Sequence, residues 1–219
     1  MNLPTEIKEA INRNNLVVFV GSGLSSKFGL PTWKNLAKDI ITDINDKKFN
    51  DLLPLLESGL FSPIEVLDKI QEEHTKIRTY IKKHFKIEKS LDFSLHKKIF
   101  EVTNSIITTN YDNAFEEACS NTIVPSKYTS NFNISEINKS EKPYIFKLHG
   151  CHTEPDNCII FSEDYKKLYE GDTASKEKLK SIFLDKTILF VGFSFSDPDI
   201  NLIFSKLDKL LKIIFIISF

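Results

Sequence analysis

The feature that most constrains this chain is an apolar run that stops abruptly at a glycine-rich turn. The run is Leu16–Val20, which reads LVVFV, and the turn at residues 21–25 reads GSGLS. Five consecutive β-branched, aromatic and aliphatic residues are too few for a buried helix and are typical of a strand. An unbroken apolar run of this kind predicts a central strand of a parallel sheet, because such strands are covered on both faces.

The turn at residues 21–25 has the composition of an anion-binding loop. Its two glycines let backbone N–H groups approach a ligand, and a helix that begins there would add the positive end of its dipole. Ser26 stands where the dinucleotide fingerprint has its third glycine, and no Gly-Lys-Ser/Thr follows as in a Walker loop. An ordinary tight turn is the alternative, but the preceding strand favours a phosphate or pyrophosphate site.

The rest of the chain predicts further strands separated by helices. Between residues 34 and 102 apolar residues recur at helical spacing without a strand signal, which predicts a helical lobe inserted between the first two strands. Further strands are predicted at residues 105–109, 122–124, 143–148, 158–161, 187–191 and 212–219. This alternation predicts an α/β fold with a Rossmann-like, doubly wound parallel sheet, in which ligands bind beyond the carboxyl ends of the strands.

Four of the predicted strand ends carry polar or glycine clusters, so we expect them to share one rim of the sheet. They are GSGLS at 21–25, TTNYD at 108–112, LHG at 148–150 and GFSFSD at 192–197. Asn110 can orient water, and His149 can accept a proton near neutral pH. The alternatives are that Asn110 and Asp112 are turn or helix-cap residues, and that His149 is a hydrogen-bonded strand-end histidine. Trp33 is either a core aromatic or a wall against a flat ring.

Composition excludes several classes of function. The chain has 219 residues, a net charge of -1 and evenly spread lysines, which argues against a nucleic-acid-binding surface. The three cysteines, Cys119, Cys151 and Cys158, contain no C-x-x-C pair, so neither a four-cysteine zinc site nor a disulfide framework is indicated. No run approaches the ~20 apolar residues that span a bilayer, and no basic leader precedes the first helix. We therefore expect a cytoplasmic protein without a membrane partner.

Taken in order, these motifs resemble those of the sirtuin superfamily. There Gly-Ala-Gly-Ile-Ser, Gly-Ile-Pro, Thr-Gln-Asn-Ile-Asp, His-Gly and Gly-Thr-Ser surround an NAD pocket. This chain has GSGLS, GLP at 29–31, TTNYD, LHG and GFS at 192–194 in the same order. Its FSEDY at 161–165 and GFSFSDP at 192–198 look more like bacterial sirtuin-like NAD-consuming domains of antiviral defence systems. The resemblance implies a single NAD-binding domain over residues 1–219, with the helical insertion at about 34–102.

The resemblance also implies a role for individual residues. Those expected to hold NAD, the substrate, are Gly21, Ser22, Gly23 and Ser25 at the pyrophosphate, Gly192 and Ser194 at the adenosine side, and Trp33 near the nicotinamide. Those expected to act in catalysis are Asn110, Asp112 and His149. No residue is assigned to a metal.

One departure from the family pattern favours hydrolysis over deacylation. Protein-deacylating sirtuins carry two C-x-x-C pairs after His-Gly, whereas Cys151 and Cys158 stand alone. The resemblance therefore implies no zinc lobe and an NAD hydrolase that releases nicotinamide and ADP-ribose, acting as the effector of an antiviral defence system. An NAD-dependent protein deacylase and a non-catalytic sensor of NAD or ADP-ribose remain alternatives. Because such an activity is toxic, we expect restraint by homo-oligomerisation or by an associated regulatory domain or subunit.

Overall fold

A parallel β-sheet flanked by helices forms the body of the molecule. The structure, a computed structural model, describes residues 3–89, 91–119, 125–129, 137, 142–171, 173–193 and 214–217. The strands are β1 (Leu16–Val20), β2 (Ser105–Thr108), β3 (Ser126–Thr129), β4 (Tyr144–Lys147), β5 (Thr187–Val191) and β6 (Ile214–Ile217). The helices are α1 (Thr5–Asn12), α2 (Trp33–Ile44), α3 (Leu52–Glu57), α4 (Pro63–Lys69), α5 (His74–His84), α6 (Ser94–Val102), α7 (Ala114–Ala118), α8 (Ser162–Tyr169) and α9 (Ala174–Asp185).

The strands of the sheet run in the order β3-β4-β2-β1-β5-β6, and every neighbouring pair is parallel. The first strand in the chain lies inside the sheet, with β2 on one side and β5 on the other. All five residues of β1 are buried, as its unbroken apolar sequence predicts. The prediction of a Rossmann-like, doubly wound parallel sheet is thus confirmed. From β1 the chain continues to β2 on one side of the sheet, whereas the later strand β5 lies on the other side of β1. In sheets of this kind, ligands bind beyond the carboxyl ends of the strands at the point where the strand order reverses.

The helices α2–α6 lie between β1 and β2 in the chain, which confirms the predicted helical insertion. Their inward-facing residues, among them Ile40, Leu67 and Ile81, form an apolar core of their own. Thr32 caps the first of these helices by accepting a hydrogen bond from the backbone N–H of Asn35. Trp33 packs against both this core and the core of the sheet, so it joins the helical insertion to the sheet.

One predicted strand differs from the structure, and another cannot be compared with it. The strand predicted at residues 122–124 lies outside the described residues, and β3 begins at Ser126. The strand predicted at residues 158–161 is wrong, because this segment is an irregular connection between a 3₁₀ turn and α8. Its side chains Cys158, Ile160 and Phe161 are buried in the core of the helical insertion. The apolar residues at 158–161 are therefore explained by their burial in this core, although the segment does not form a strand.

No helix in the described part of the chain combines the length and the apolar composition needed to cross a bilayer.

Candidate functional site

An open pocket of about 450 Å³ lies at the carboxyl ends of β1 and β2. The pocket is bounded by the turn after β1, the turn after β2 and the helical insertion. Its lining residues are Ser22, Ser25, Leu30, Pro31, Trp33, Leu36, Phe85, Thr109, Asn110, Tyr111 and Asp112.

Asn110 ties the two turns of the pocket together. Its side-chain Nδ2 donates to the carbonyl oxygen of Gly21 at 3.1 Å and to Oγ of Ser25 at 3.2 Å. Since a carbonyl oxygen only accepts hydrogen bonds, the amide nitrogen must face Gly21, and the amide oxygen lies on the opposite edge of the group. The backbone N–H of Asn110 donates to Oγ1 of Thr108, whose hydroxyl donates to the carbonyl of Val20. The orientation of Asn110 is therefore fixed before any ligand binds.

Asp112 is buried at the edge of the same pocket. Its Oδ1 accepts a hydrogen bond of 2.9 Å from the backbone N–H of Ala114, at the start of α7. Asp112 therefore acts as a helix-cap residue, as one of the two interpretations of the sequence predicted. Asp112 is also one of the residues that line the pocket. The two roles are compatible because the bond to Ala114 uses a single carboxylate oxygen.

The glycines after β1 and β5 are required by the packing of two turns against each other. A Cβ on Gly23 would lie 2.7 Å from the carbonyl oxygen of Gly192, and one on Gly21 would lie 2.8 Å from that oxygen. Gly192 itself has a φ of +75° and would place a Cβ 2.7 Å from the backbone nitrogen of Leu24. Protein atoms thus fill the space that these glycines leave. Ser22 and Ser25 line the pocket, whereas Gly21, Gly23 and Gly192 lie behind it.

The backbone after β1 differs from the predicted start of a helix. Residues Ser22–Leu24 and Ser26–Phe28 form two 3₁₀ turns, and the next α-helix begins at Trp33. The backbone N–H of Gly23 donates to the carbonyl of Gly192 at 2.8 Å, and that of Ser25 donates to the carbonyl of Ser22. An α-helix does not begin at this turn, so the expected contribution of a helix dipole there is wrong. Ser22 and Ser25 are the residues of this turn that line the pocket.

His149 is fully buried and does not line the pocket. Its Nε2 lies 2.9 Å from the hydroxyl of Tyr169, and its ring meets the ring of Tyr165 edge to face at 5.1 Å. Tyr165 in turn contacts Trp33, with ring centroids 6.4 Å apart, so one aromatic side chain touches both His149 and the pocket wall. Burial lowers the pKa of His149 to about 3, and the imidazole is neutral at physiological pH.

The pocket brings together five of the ten predicted site residues, namely Ser22, Ser25, Trp33, Asn110 and Asp112. Ser194 lies outside the described residues. The three site glycines and His149 lie around the pocket without lining it.

Sequence reasoning missed part of the apolar wall of the pocket. Tyr111 lies 5.4 Å from Phe85 and 6.1 Å from Trp33 between ring centroids, in edge-to-face contacts. Its hydroxyl donates to the carbonyl of Ile159 at 2.5 Å, which holds the ring in place. Tyr111 could have been found because it lies between Asn110 and Asp112. Phe85 carried no local signal, since it follows α5 in the helical insertion and reaches the pocket only through the tertiary fold.

Among the described residues, no group of three or more His, Cys, Asp or Glu side chains is placed to hold a metal ion. Cys151 and Cys158 are both buried free thiols. The site is therefore built from amide, carboxylate, hydroxyl and aromatic groups.

A doubly wound parallel sheet with a polar and aromatic pocket at the ends of its central strands defines a Rossmann-like α/β protein with a nucleotide-type crevice. Residues 104–212 match the model of the family described as the SIR2-like domain. This match covers just under half of the chain, and it confirms the resemblance to the sirtuin superfamily seen in its motifs.

Curated relatives of this chain are longer proteins. It is 31% identical over 93% of its length to the NAD(+) hydrolase ThsA of Enterococcus faecium, and 28% identical over 92% to the protein of that name from Acinetobacter baumannii. It is also 28% identical over 94% of its length to the defense-associated sirtuin 2 of Bacillus subtilis. The chain spans 42%, 41% and 20% of these relatives, respectively. The similarity thus covers nearly all of this chain and less than half of each relative.

Proposed function

We propose that this chain is an NAD hydrolase that cleaves the bond between nicotinamide and ribose and releases nicotinamide and ADP-ribose. The observation that carries the proposal is the meeting of Asn110, Asp112 and Trp33 around one pocket at the carboxyl ends of β1 and β2. Two relatives of this chain named as NAD(+) hydrolases support the same reaction.

The chemistry of the pocket suits departure of nicotinamide. Breaking the glycosidic bond develops positive charge on the ribose, as in an oxocarbenium ion, and fixed oxygen dipoles or a carboxylate stabilise that charge. In the proposal, the amide oxygen of Asn110 and the carboxylate of Asp112 supply these groups and orient the attacking water. Trp33, Phe85 and Tyr111 enclose the flat ring and limit access of bulk water.

The remaining residues proposed to bind NAD follow β1 and β5 in the chain. In the proposal, the hydroxyls of Ser22 and Ser25 reach the pyrophosphate. Gly21 and Gly23 permit the close approach of the two turns, and Gly192 and Ser194 bound the adenosine side.

His149 is proposed as the proton acceptor, and its position sets a condition on that role. Burial lowers the pKa of His149 to about 3, so the imidazole is neutral but only weakly basic while it stays buried. The ring is fully buried beside Tyr165 and Tyr169, however, so contact with a ribose hydroxyl requires these side chains to move aside. The roles of His149 and Asn110 are therefore tested separately.

The biological setting is part of the proposal. We infer one sirtuin-like domain over residues 1–219, with its helical insertion at about 34–102. The relative named as a defense-associated sirtuin supports a role as the NAD-consuming effector of an antiviral defence system. A cytoplasmic effector of this kind would be restrained through a homo-oligomer or an associated regulatory domain or subunit.

The test is to incubate the purified protein with NAD and to measure nicotinamide release in the absence of any acylated peptide. We expect release by the wild-type protein, and a loss of kcat of about a hundredfold in Asn110→Ala, since removing one preorganised dipole costs that much in comparable sites. Asn104→Ala, at the opposite end of β2, is the matched control and should retain activity. His149→Ala should lower kcat as well.

Other outcomes would point to the alternatives. Release that depends on an acylated peptide would show a deacylase, and binding of ADP-ribose without any release would show a sensor. Full activity in Asn110→Ala would overturn the assignment of the site.

A further inference from the structure

A lysine lies in the interior of the protein next to the turn that carries Asn110 and Asp112. Lys147, the last residue of β4, is only 1% exposed. Its Nζ donates to the main-chain carbonyl oxygen of Asp112 and lies 3.6 Å from Oε1 of Glu116 on α7. A buried ammonium group costs several kcal/mol unless it is paired and hydrogen-bonded, so this placement needs a structural or functional reason.

The surroundings of Lys147 keep it charged. Burial by itself lowers its pKa, but the negative charges of Glu116 and Asp112 raise it, and the pKa lies above its ordinary value. An ammonium group donates stronger hydrogen bonds than a neutral group does. The bond to the carbonyl of Asp112 is therefore a strong constraint on that part of the backbone.

The turn after β2 is held from two directions. On the side of β1, the backbone N–H of Thr109 donates to the carbonyl of Val20 at 3.3 Å. On the side of β4, the backbone N–H of His152 donates to the carbonyl of Tyr111 at 2.9 Å, and Lys147 holds the next carbonyl, that of Asp112. Two successive carbonyls of the turn thus depend on the chain in and after β4.

We propose that Lys147 is a positioning residue, whose ammonium group fixes the backbone of Asp112 and thereby keeps Asn110 and Asp112 in place at the pocket. Glu116 then serves to stabilise the buried charge and has no direct part in positioning. The kinetic consequence of this inference rests on the proposed NAD hydrolysis, whereas its structural consequence can be measured without any substrate.

Four variants separate positioning from a general contribution to stability. They are Lys147→Met, Glu116→Gln, the double variant with both changes, and Lys178→Met. Lys178 is the matched control because it is also a buried lysine, but it lies on α9. The double variant leaves no unpaired buried charge, so it carries the test even where Lys147→Met folds poorly.

The expected results differ between stability and activity. Glu116→Gln should lower the urea midpoint of unfolding and keep kcat within about threefold of the wild type. The double variant should recover part of that stability, but its kcat should fall at least about tenfold with little change in KM, because methionine cannot donate to Asp112. Lys178→Met should keep the kcat of the wild type. A kcat that recovers together with stability in the double variant would overturn the inference.

Hydrogen exchange of the ligand-free protein provides the readout that does not need the reaction. Backbone amides in residues 109–113 should exchange about tenfold faster in the double variant than in the wild type, while amides of β1 keep their protection. Unchanged protection of residues 109–113 would overturn the inference about Lys147. A wild-type protein that does not hydrolyse NAD would overturn the proposed function alone.

Discussion

At several positions of this site, the neighbouring backbone atoms determine which residue type can fit. Gly23 illustrates this, because its backbone N–H donates to the carbonyl of Gly192 and its α-carbon faces the same group. The motif read as a phosphate loop is thus also the contact between the ends of β1 and β5. Glycine at position 23 thus allows the ends of β1 and β5 to pack closely, and this packing shapes the pocket that Ser22 and Ser25 line.

We predict that Gly23→Ala is strongly destabilising. A Cβ there would lie 2.7 Å from the carbonyl oxygen of Gly192, which is backbone and cannot rotate away. The free energy of unfolding should fall by about 3 kcal/mol, as for other overpacked sites. Gly59→Ala is the control, since nothing lies within 4 Å of its added Cβ and only its φ of +74° opposes the change, at about 1 kcal/mol. Equal losses in urea unfolding would contradict this account of Gly23.

At the scale of elements, the helical insertion holds the start of α8. Asp68 of α4 accepts a hydrogen bond of 3.0 Å from the backbone N–H of Ser162 and a second bond from its hydroxyl. The helix that begins there carries Tyr165 and Tyr169, the two residues that surround His149. A carboxylate from a distant helix thus caps the element on which the burial of His149 depends.

Removing that cap should loosen α8. Asp68→Ala is expected to lower the free energy of unfolding by about 1 kcal/mol, the usual effect of losing a helix cap. Asp43→Ala, which removes an exposed carboxylate on α2, should have little effect. The measurement is urea unfolding of both variants, together with hydrogen exchange of the first turn of α8. Equal protection of that turn in Asp68→Ala and in the wild type would show that the contact does not hold the helix.

For the whole molecule, buried histidines link stability to pH. His96 is buried among the rings of Phe28, Phe93 and Phe115, and burial lowers its pKa to about 4. The pKa of His149 is lowered further, to about 3. Both side chains have an ordinary pKa near 6.5 in the unfolded chain. Between pH 6.5 and 4 the unfolded state therefore binds protons that the folded state does not.

The protein should consequently lose stability as the pH falls through this range. Each of the two histidines is expected to contribute a loss of about 2 kcal/mol between pH 6.5 and 5, a range in which most carboxylates stay ionised. Urea unfolding at pH 7, 6 and 5 measures the slope. His96→Leu should reduce that slope, and His74→Gln, at an exposed position, should leave it unchanged. If His96→Leu and the wild type show the same dependence of stability on pH, His96 is not a source of that dependence.

Most of the strands, the parallel sheet and the resemblance to the sirtuin superfamily could be predicted from the sequence. Apolar runs such as Leu16–Val20 and short motifs such as TTNYD are local patterns, and their order along the chain is enough to define them. The same patterns placed Asn110, Asp112 and Trp33 at strand ends or turns. In a parallel sheet these positions lie at one edge, and the three residues do line one pocket.

Which of the motif residues reach that pocket depends on contacts that form when the chain folds. His149 lies behind Tyr165, the site glycines pack against each other, and Phe85 arrives from the helical insertion. Lys147 lies in the interior because Asp112 and Glu116 stand opposite it on other elements. Each of these outcomes depends on contacts between residues far apart in the chain, and local sequence patterns carry no information about such contacts.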